Sequence, residues 1–284
     1  MIELDQNFFK QRQKNRNYLH FDEKPSYTFL HEYVTKPSNI EQHSFYPFIS
    51  YNIVDEKIRK SNKKVIISSK GRLINYPSHI DSSIYAYYSK SLETHYESYL
   101  SENSLTDTVL AFRKVEKIID GKRVSQCNIH FSKNVFDYIT QKKDCLVLCY
   151  DISKFFDNLD HRILKDNWIR LLGTNSLRKD YYKIYRSLTR FASVDKKELY
   201  KELGLSLHSR TLNKRLDRLC SVKDFRDKIR KNGLVTTNTS SKGIPQGSPM
   251  SGLLSNIYMM DFDEAVSRHL TEINGKYFRY CDDM

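Results

Sequence analysis

Apolar runs in this chain are short, and turn residues separate them at spacings that alternate between strand and helix periods. Val65-Ile-Ile67 and Arg72-Leu-Ile-Asn-Tyr-Pro77 read as two short strands around a turn at Lys70-Gly71. Ser78-His-Ile-Asp81 opens a helix in which Ile84, Tyr87, Tyr88, Leu92 and Tyr99 keep helical spacing, a stripe better suited to core packing than to base stacking. Val109 to Lys114 reads as a strand reaching two cations, Arg113 and Lys114. Asp120-Gly121 is a hairpin signal with Val124 and Ile129 on the return side, on its own a solvated hairpin. Phe131 to Thr140 is patterned as a helix. Then Cys145-Leu-Val-Leu-Cys-Tyr150, six apolar residues without a break, run straight into Asp151. So short a run reads as a strand buried on both faces, with a carboxylate at its mouth. Asp160 caps a helix whose Leu164, Trp168 and Leu171 share a face and which Gly173 ends. Lys242-Gly-Ile-Pro-Gln-Gly-Ser-Pro249 is an extended loop, and Ser248-Pro249 starts a helix carrying Leu253, Ile257 and Met260. After a turn at Asn274-Gly275, Lys276 to Cys281 reads as a strand ending in Asp282-Asp283.

Composition narrows the choice of partner. The 284 residues suffice for one large domain or two small ones, and 20 Tyr and 15 Phe provide for a core. A net charge of +13 favours a polyanion, nucleic acid first and an anionic membrane surface second. No stretch resembles a signal peptide or membrane span, so the chain is read as cytoplasmic. Cysteines 127, 145, 149, 220 and 281 show no paired spacing, which argues against a zinc site or a disulfide framework; Cys145 and Cys149 read as core residues. Two stretches are conspicuously basic. Residues 1–35 interleave Lys10, Arg12, Lys14 and Arg16 with Tyr18, Phe21, Tyr27 and Phe29, the mark either of nucleic-acid contact or of a surface arm anchored by its rings. Residues 174–235 are patterned as helix, and Arg186, Arg210, Lys214, Arg215 and Arg226 belong to a series that is either a solvated face or a nucleic-acid track.

A carboxylate at the end of a buried strand needs a cation or a donor as partner. On a basic chain, that points to a metal site for a phosphate-bearing substrate. Joining a nucleotide to a 3′-hydroxyl is an in-line phosphoryl transfer, in which two Mg²⁺ ions about 3.5–4 Å apart neutralise the developing charge. The least a protein must supply is two neighbouring strand ends, each delivering an aspartate. Asp151 and Asp282 meet that requirement if their strands are neighbours in one sheet.

Three motifs in order then resemble a known family. Tyr-Asp151-Ile-Ser-Lys-Phe-Phe156-Asp-Asn-Leu-Asp-His161 is similar to the first palm motif of reverse transcriptases. Gly243-Ile-Pro-Gln-Gly-Ser-Pro-Met-Ser-Gly-Leu-Leu-Ser-Asn-Ile-Tyr258 resembles their second, and Tyr280-Cys-Asp-Asp283 their YxDD box. The likeness covers roughly residues 65–284, in the style of bacterial retron, abortive-infection and other antiviral defence enzymes and then of group II intron enzymes, so it implies a place in defence or in a retroelement. It implies an α+β right-hand polymerase with fingers and palm, an antiparallel palm sheet backed by helices, and no thumb. The implied divisions are an N-terminal extension (1–64), fingers (65–144), a leading palm segment (145–173), a basic helical segment (174–235) and a closing palm segment (236–284).

Position by position, the resemblance makes Asp151 and Asp282 the metal ligands, with Asp283 as a supporting carboxylate and the Ile152 carbonyl completing a shell. Two Mg²⁺ ions, replaceable by Mn²⁺, are the implied cofactor. Phe156 falls at the sugar gate, Gln246 with Gly247 against the incoming nucleotide or templating pair, and Arg113 and Arg72 on the triphosphate. Asp157 and Asp160 are read as turn and cap residues. The implied partners are an RNA template, a primer and its DNA product, dNTPs and a dedicated non-coding RNA, with no membrane. The chain stops one residue after the YxDD box, where the family continues into a thumb, so the expectation is a truncated reading frame. Two other functions stay open: a nucleic-acid-binding fragment without turnover, and an RNA-templated RNA polymerase, which Phe156 disfavours.

Overall fold

The computed structural model describes residues 4–14, 16–61, 64–119, 121–208 and 216–284. In chain order it has α1 (Gln6–Lys14), α2 (Tyr27–Val34), α3 (Pro37–Gln42), β1 (Phe48–Ser61), β2 (Lys64–Tyr76), α4 (His79–Glu102), β3 (Glu116–Ile119), β4 (Lys122–Ser125) and α5 (Asn128–Lys142). There follow α6 (Phe155–Asn158), α7 (His161–Leu171), α8 (Lys179–Thr189), β5 (Ala192–Asp195), α9 (Lys196–Glu202) and α10 (Val222–Asp224). A π-helical turn (Phe225–Arg230), β6 (Thr236–Thr237), α11 (Ser251–Tyr258) and α12 (Met260–Glu272) complete it. The α+β expectation holds. The chain divides into two compact units, Met1–Tyr88 with Arg178–Ser251, and Ser89–Leu177 with Gly252–Met284.

The first unit contains a four-stranded sheet in the order β2-β1-β5-β6. β1 and β2 form a long antiparallel ribbon, in register from Ile49 opposite Tyr76 to Ser61 opposite Lys64. The two short strands expected around Lys70-Gly71 are therefore one strand, with Gly71 inside it opposite Val54. A glycine weakens a strand without forcing a turn, and the continuous partner β1 holds it extended. β5 lies parallel to β1, and β6 pairs antiparallel with β5. Ile49, Val194, Leu199, Tyr200 and Ile229 pack with Leu19 and Phe21 of the N-terminal segment, so aromatic residues there do anchor it.

α4 begins where Ser78 Oγ accepts the Asp81 N–H at 3.2 Å. Asp22 reaches in from the N-terminal segment and accepts the His79 and Ile80 N–H groups at 3.1 and 2.9 Å, satisfying two donors that every helix start leaves open. Along α4, Ile84, Tyr88, Leu92, Tyr96 and Leu100 recur every four residues and are buried, which makes the tyrosine stripe core. The Tyr85 and Tyr88 hydroxyls donate to Ser187 and Asp180 at 3.0 and 2.7 Å, and Arg178 holds the Asp180 carboxylate with two bonds of 2.6 Å.

In the second unit, the Asp160 carboxylate caps α7 through the Arg162 and Ile163 N–H groups, Leu164 and Trp168 are buried, and Gly173 follows the helix at φ +63°. The β3–β4 hairpin forms as expected, with Ile119 opposite Lys122; Asp120 lies outside the described residues, and Ile129 belongs to α5, not to the return strand. Leu253, Ile257 and Met260 are buried, but the helix starts at Ser251, two residues later than the expected Pro249. Ser248 caps only the turn before it, accepting the Met250 N–H at 3.3 Å.

Three expected strands are not ladders. Residues 145–150 form no strand and are open to solvent: Leu146 is 84% exposed, and Cys145 and Cys149 are exposed instead of core. Apolar residues identify a strand that can be covered, not what covers it. Between Val109 and Lys114 only Val109 pairs, parallel to Arg279, because the chain turns at Phe112, whose φ is +58°. From Lys276 to Cys281, pairing is confined to Arg279 and Tyr280. The 174–235 region is not helical throughout, since β5 interrupts it; its Arg210, Lys214 and Arg215 lie outside the described residues. No helix among the described residues is long and apolar enough to cross a membrane.

Candidate active site

The two aspartate-bearing stretches meet through the backbone. Tyr150 and Met284 exchange both of their N–H···O=C bonds at 2.9 Å, and the Ile152 N–H donates to the Asp282 carbonyl at 3.1 Å. That register sets Asp151 directly opposite Asp283 in an antiparallel bridge. The pair exchanges no bonds of its own, and such pairs hold their Cα atoms about 4.5 Å apart with both side chains on one face. Tyr280 and Asp283 exchange bonds of 2.8 and 3.1 Å, closing a tight turn over Cys281 and Asp282. Cys281 takes φ +63° to make that turn. Burial first, and then the neighbouring Asp282 carboxylate, push the Cys281 thiol up to about 12.

Like charges directly opposite one another repel. No ion pair to Asp151 is seen among the described residues, and a cation between the carboxylates would turn the repulsion into attraction. Among the described residues, no group of three or more His, Cys, Asp or Glu side chains is gathered closely enough to hold a metal. What the backbone brings together is a pair of opposed carboxylates, Asp151 and Asp283. This suits Mg²⁺, which takes one or two protein carboxylates and keeps several waters, better than it suits zinc.

What holds the turn is a residue the sequence reading missed. Arg279 is fully buried and donates to both Asp263 oxygens, at 2.7 and 2.5 Å, to Asn256 Oδ1 at 3.1 Å and to the Cys281 carbonyl at 3.0 Å. The Tyr277 hydroxyl donates to Asp263 at 3.1 Å. Burial alone would lower the arginine's pKa; its bonds to Asp263 outweigh that and raise it, so Arg279 remains a cation. The available signal was an aspartate, Asp263, three residues after Met260 on the buried face of α12.

Phe156 lies in α6, just after Lys154 in the left-handed region (φ +51°), and its ring meets Phe155 and Phe112 at 5.6 and 6.4 Å between centroids. Arg113 is not free to reach a phosphate. Its guanidinium grips Glu97 with bonds of 2.8 and 2.6 Å and donates to the Thr106 and Val109 carbonyls at 2.8 and 2.5 Å. Four of its five N–H donors are thereby engaged inside the protein.

Arg72, Gln246 and Gly247 belong to the first unit. Arg72 is half-exposed on β2, with its Nε 3.8 Å from Asp55. The Gln246 carbonyl accepts the Asn75 N–H at 2.7 Å, docking the Pro-Gln-Gly loop onto the end of β2. Gly247 has φ +115°, and a Cβ there would stand 2.8 Å from the Asn75 carbonyl oxygen, so only glycine permits the loop to lie this close.

No curated protein matches the chain. The family model described as reverse transcriptase (RNA-dependent DNA polymerase) matches residues 58–284, a span that takes in the paired aspartates and the Pro-Gln-Gly loop. With well over half of its length matched, this chain belongs to the reverse transcriptase family.

Proposed function

We propose that this chain joins deoxynucleotides to a primer 3′-hydroxyl on an RNA template, and that Asp151, Asp282 and Asp283 form its reaction centre. The observation that supports this most is the bridge that sets Asp151 opposite Asp283, with Asp282 one residue before it. Asp151 and Asp282, with Asp283 and the Ile152 carbonyl beside them, would hold Mg²⁺. When bound, Mg²⁺ supplies positive charge to the phosphoryl oxygens and makes the attacking hydroxyl easier to deprotonate. The protein's own part is positioning and exclusion. Phe156 stands where a ribose 2′-hydroxyl would collide with its ring, so deoxynucleotides are preferred. Gln246 and Gly247 face the incoming nucleotide or templating pair, and Arg72 steadies the triphosphate. Arg113 is given a structural role instead, its donors being spent on Glu97 and the backbone.

In this reading residues 65–144 serve as fingers, 145–173 and 236–284 as palm, and 174–235 as the basic segment joining them. The wording of the three motifs supports a place in bacterial antiviral defence or a retroelement, and a dedicated non-coding RNA is a partner of such an enzyme. The test is extension of a labelled primer on an RNA template by the purified chain with four dNTPs and Mg²⁺. Extension that follows the template sequence is expected. RNA binding without extension would overturn the proposal in favour of a nucleic-acid-binding fragment, and extension with ribonucleotides alone in favour of an RNA polymerase.

A further inference from the structure

Phe112 stands out because it is strained and half-exposed at once. Its φ of +58° is unfavourable for an aromatic L-residue, yet 51% of it remains open to solvent, so burial is not what keeps it there. Its neighbours on both sides are clamped instead. The Ala111 carbonyl accepts the buried Asn256 Nδ2 at 2.9 Å, and Arg113 is locked onto Glu97 and two carbonyls. The ring is thus directed by its backbone, and it lies against Gly252, the second residue of α11. A Cβ at Gly252 would come within 2.6 Å of two ring carbons, Cγ and Cδ1, so the absence of a side chain there is what admits the ring. From that seat Phe112 meets Phe156 at 6.4 Å and 75°, an edge-to-face contact.

We infer that Phe112 is a positioning residue for Phe156, and that Gly252 exists as glycine to seat it. The inference rests on the sugar-gate reading of Phe156. A gate that rejects a single hydroxyl by collision discriminates only while its ring cannot rotate away. Phe155, itself buried, flanks the Phe156 ring at 5.6 Å, and Phe112 provides the second aromatic contact. Freed of Phe112, the gate ring gains room and a ribonucleotide is tolerated, while the handling of deoxynucleotides changes little.

The experiment is single-nucleotide incorporation by the full chain, read as the ratio of ribonucleotide to deoxynucleotide efficiency (kcat/KM for each). Phe112→Ala is expected to raise that ratio by about three- to tenfold, and Phe112→Tyr, which keeps the ring, to leave it at the wild-type value. Gly252→Ala, whose methyl displaces the ring, is expected to raise it likewise; should that variant not fold, Phe112→Ala at its exposed turn carries the test. Because Phe112 acts through Phe156, Phe112→Ala should add nothing in a Phe156→Ala background. An unchanged ratio in Phe112→Ala, or a further rise in that background, overturns the inference. Incorporation with a raised ratio in Phe156→Ala alone overturns the role of Phe112 and leaves the gate standing. No incorporation by the wild-type chain overturns the reading beneath both.

Discussion

Arg279 bears on the aspartate turn more directly than any other single side chain. It ties α12, through Asp263, to the carbonyl of Cys281, the residue whose left-handed backbone turns the chain between Tyr280 and Asp282. Removing one member of a buried pair strands the other charge. Arg279→Met should therefore destabilise the fold by about 3–5 kcal/mol, while Arg279→Met with Asp263→Leu should recover most of the loss. Urea unfolding of the two variants checks this, and a double variant no more stable than the single one would contradict it. The contrast with Asp151 shows what single residues disclose. Asp151 stood out because its neighbours belong to a distinctive motif; it does not end a buried strand, since residues 145–151 are exposed. Arg279 sits in a polar-aromatic stretch, and its meaning depends on Asp263, sixteen residues earlier on α12. Arg113 misled for the same reason: a cation in sequence looks available until Glu97 on α4 is seen to hold it.

Among the elements, helices with explicit caps were read well and strands poorly. α7 was found from Asp160, Leu164, Trp168 and Gly173 because its signals lie within one turn of its ends. β1 was missed and β2 divided, because the mixed polar sequence of Phe48–Ser61 has no clean alternation and its register is fixed only by pairing. The docking of the N-terminal segment on the start of α4 was equally invisible, yet it sets a pH response. His20 is buried and its pKa is lowered to about 3, first by burial and then by His79; His79 is lowered to about 4, also mainly by burial. The unfolded chain protonates both near 6.5, so over that window it binds protons that the native state does not. Their contribution to stability is present above pH 6.5 and is lost as the pH falls toward 3–4. Asp22, raised by burial from 3.8 to about 6, works in the opposite sense between those values. Unfolding midpoints measured from pH 7 to pH 4 should fall with acid. His20→Leu should flatten the dependence by about 1.4 kcal/mol per pH unit, and an unaltered slope in that variant would remove His20 from the account.

For the whole molecule, composition had the most to say. A net charge of +13 on a chain of α+β class already pointed to a polyanion, and the matched family takes an RNA template. Binding carried by phosphate contacts must weaken steeply with salt, because each contact releases a condensed counterion. Affinity for single-stranded RNA, followed by fluorescence anisotropy, should drop by about a thousandfold or more between 50 and 200 mM salt. A flat response would mean that the charge is only a solvated surface. The α+β class was legible in the sequence, and so was the meeting of the two aspartate-bearing stretches, though the residue opposite Asp151 is Asp283 and not the expected Asp282. The register of the bridge between them, the clamp beneath them and the seat of Phe112 were not, since each depends on residues brought together by pairing, where neither periodicity nor propensity speaks. The central claim is that the opposed aspartates are the reaction centre, and it is tested most directly by labelled dNTP incorporation in Asp151→Asn beside Asp157→Asn. The account predicts that Asp151→Asn abolishes incorporation with an unchanged melting temperature while Asp157→Asn retains it. Incorporation surviving in a folded Asp151→Asn protein would contradict it.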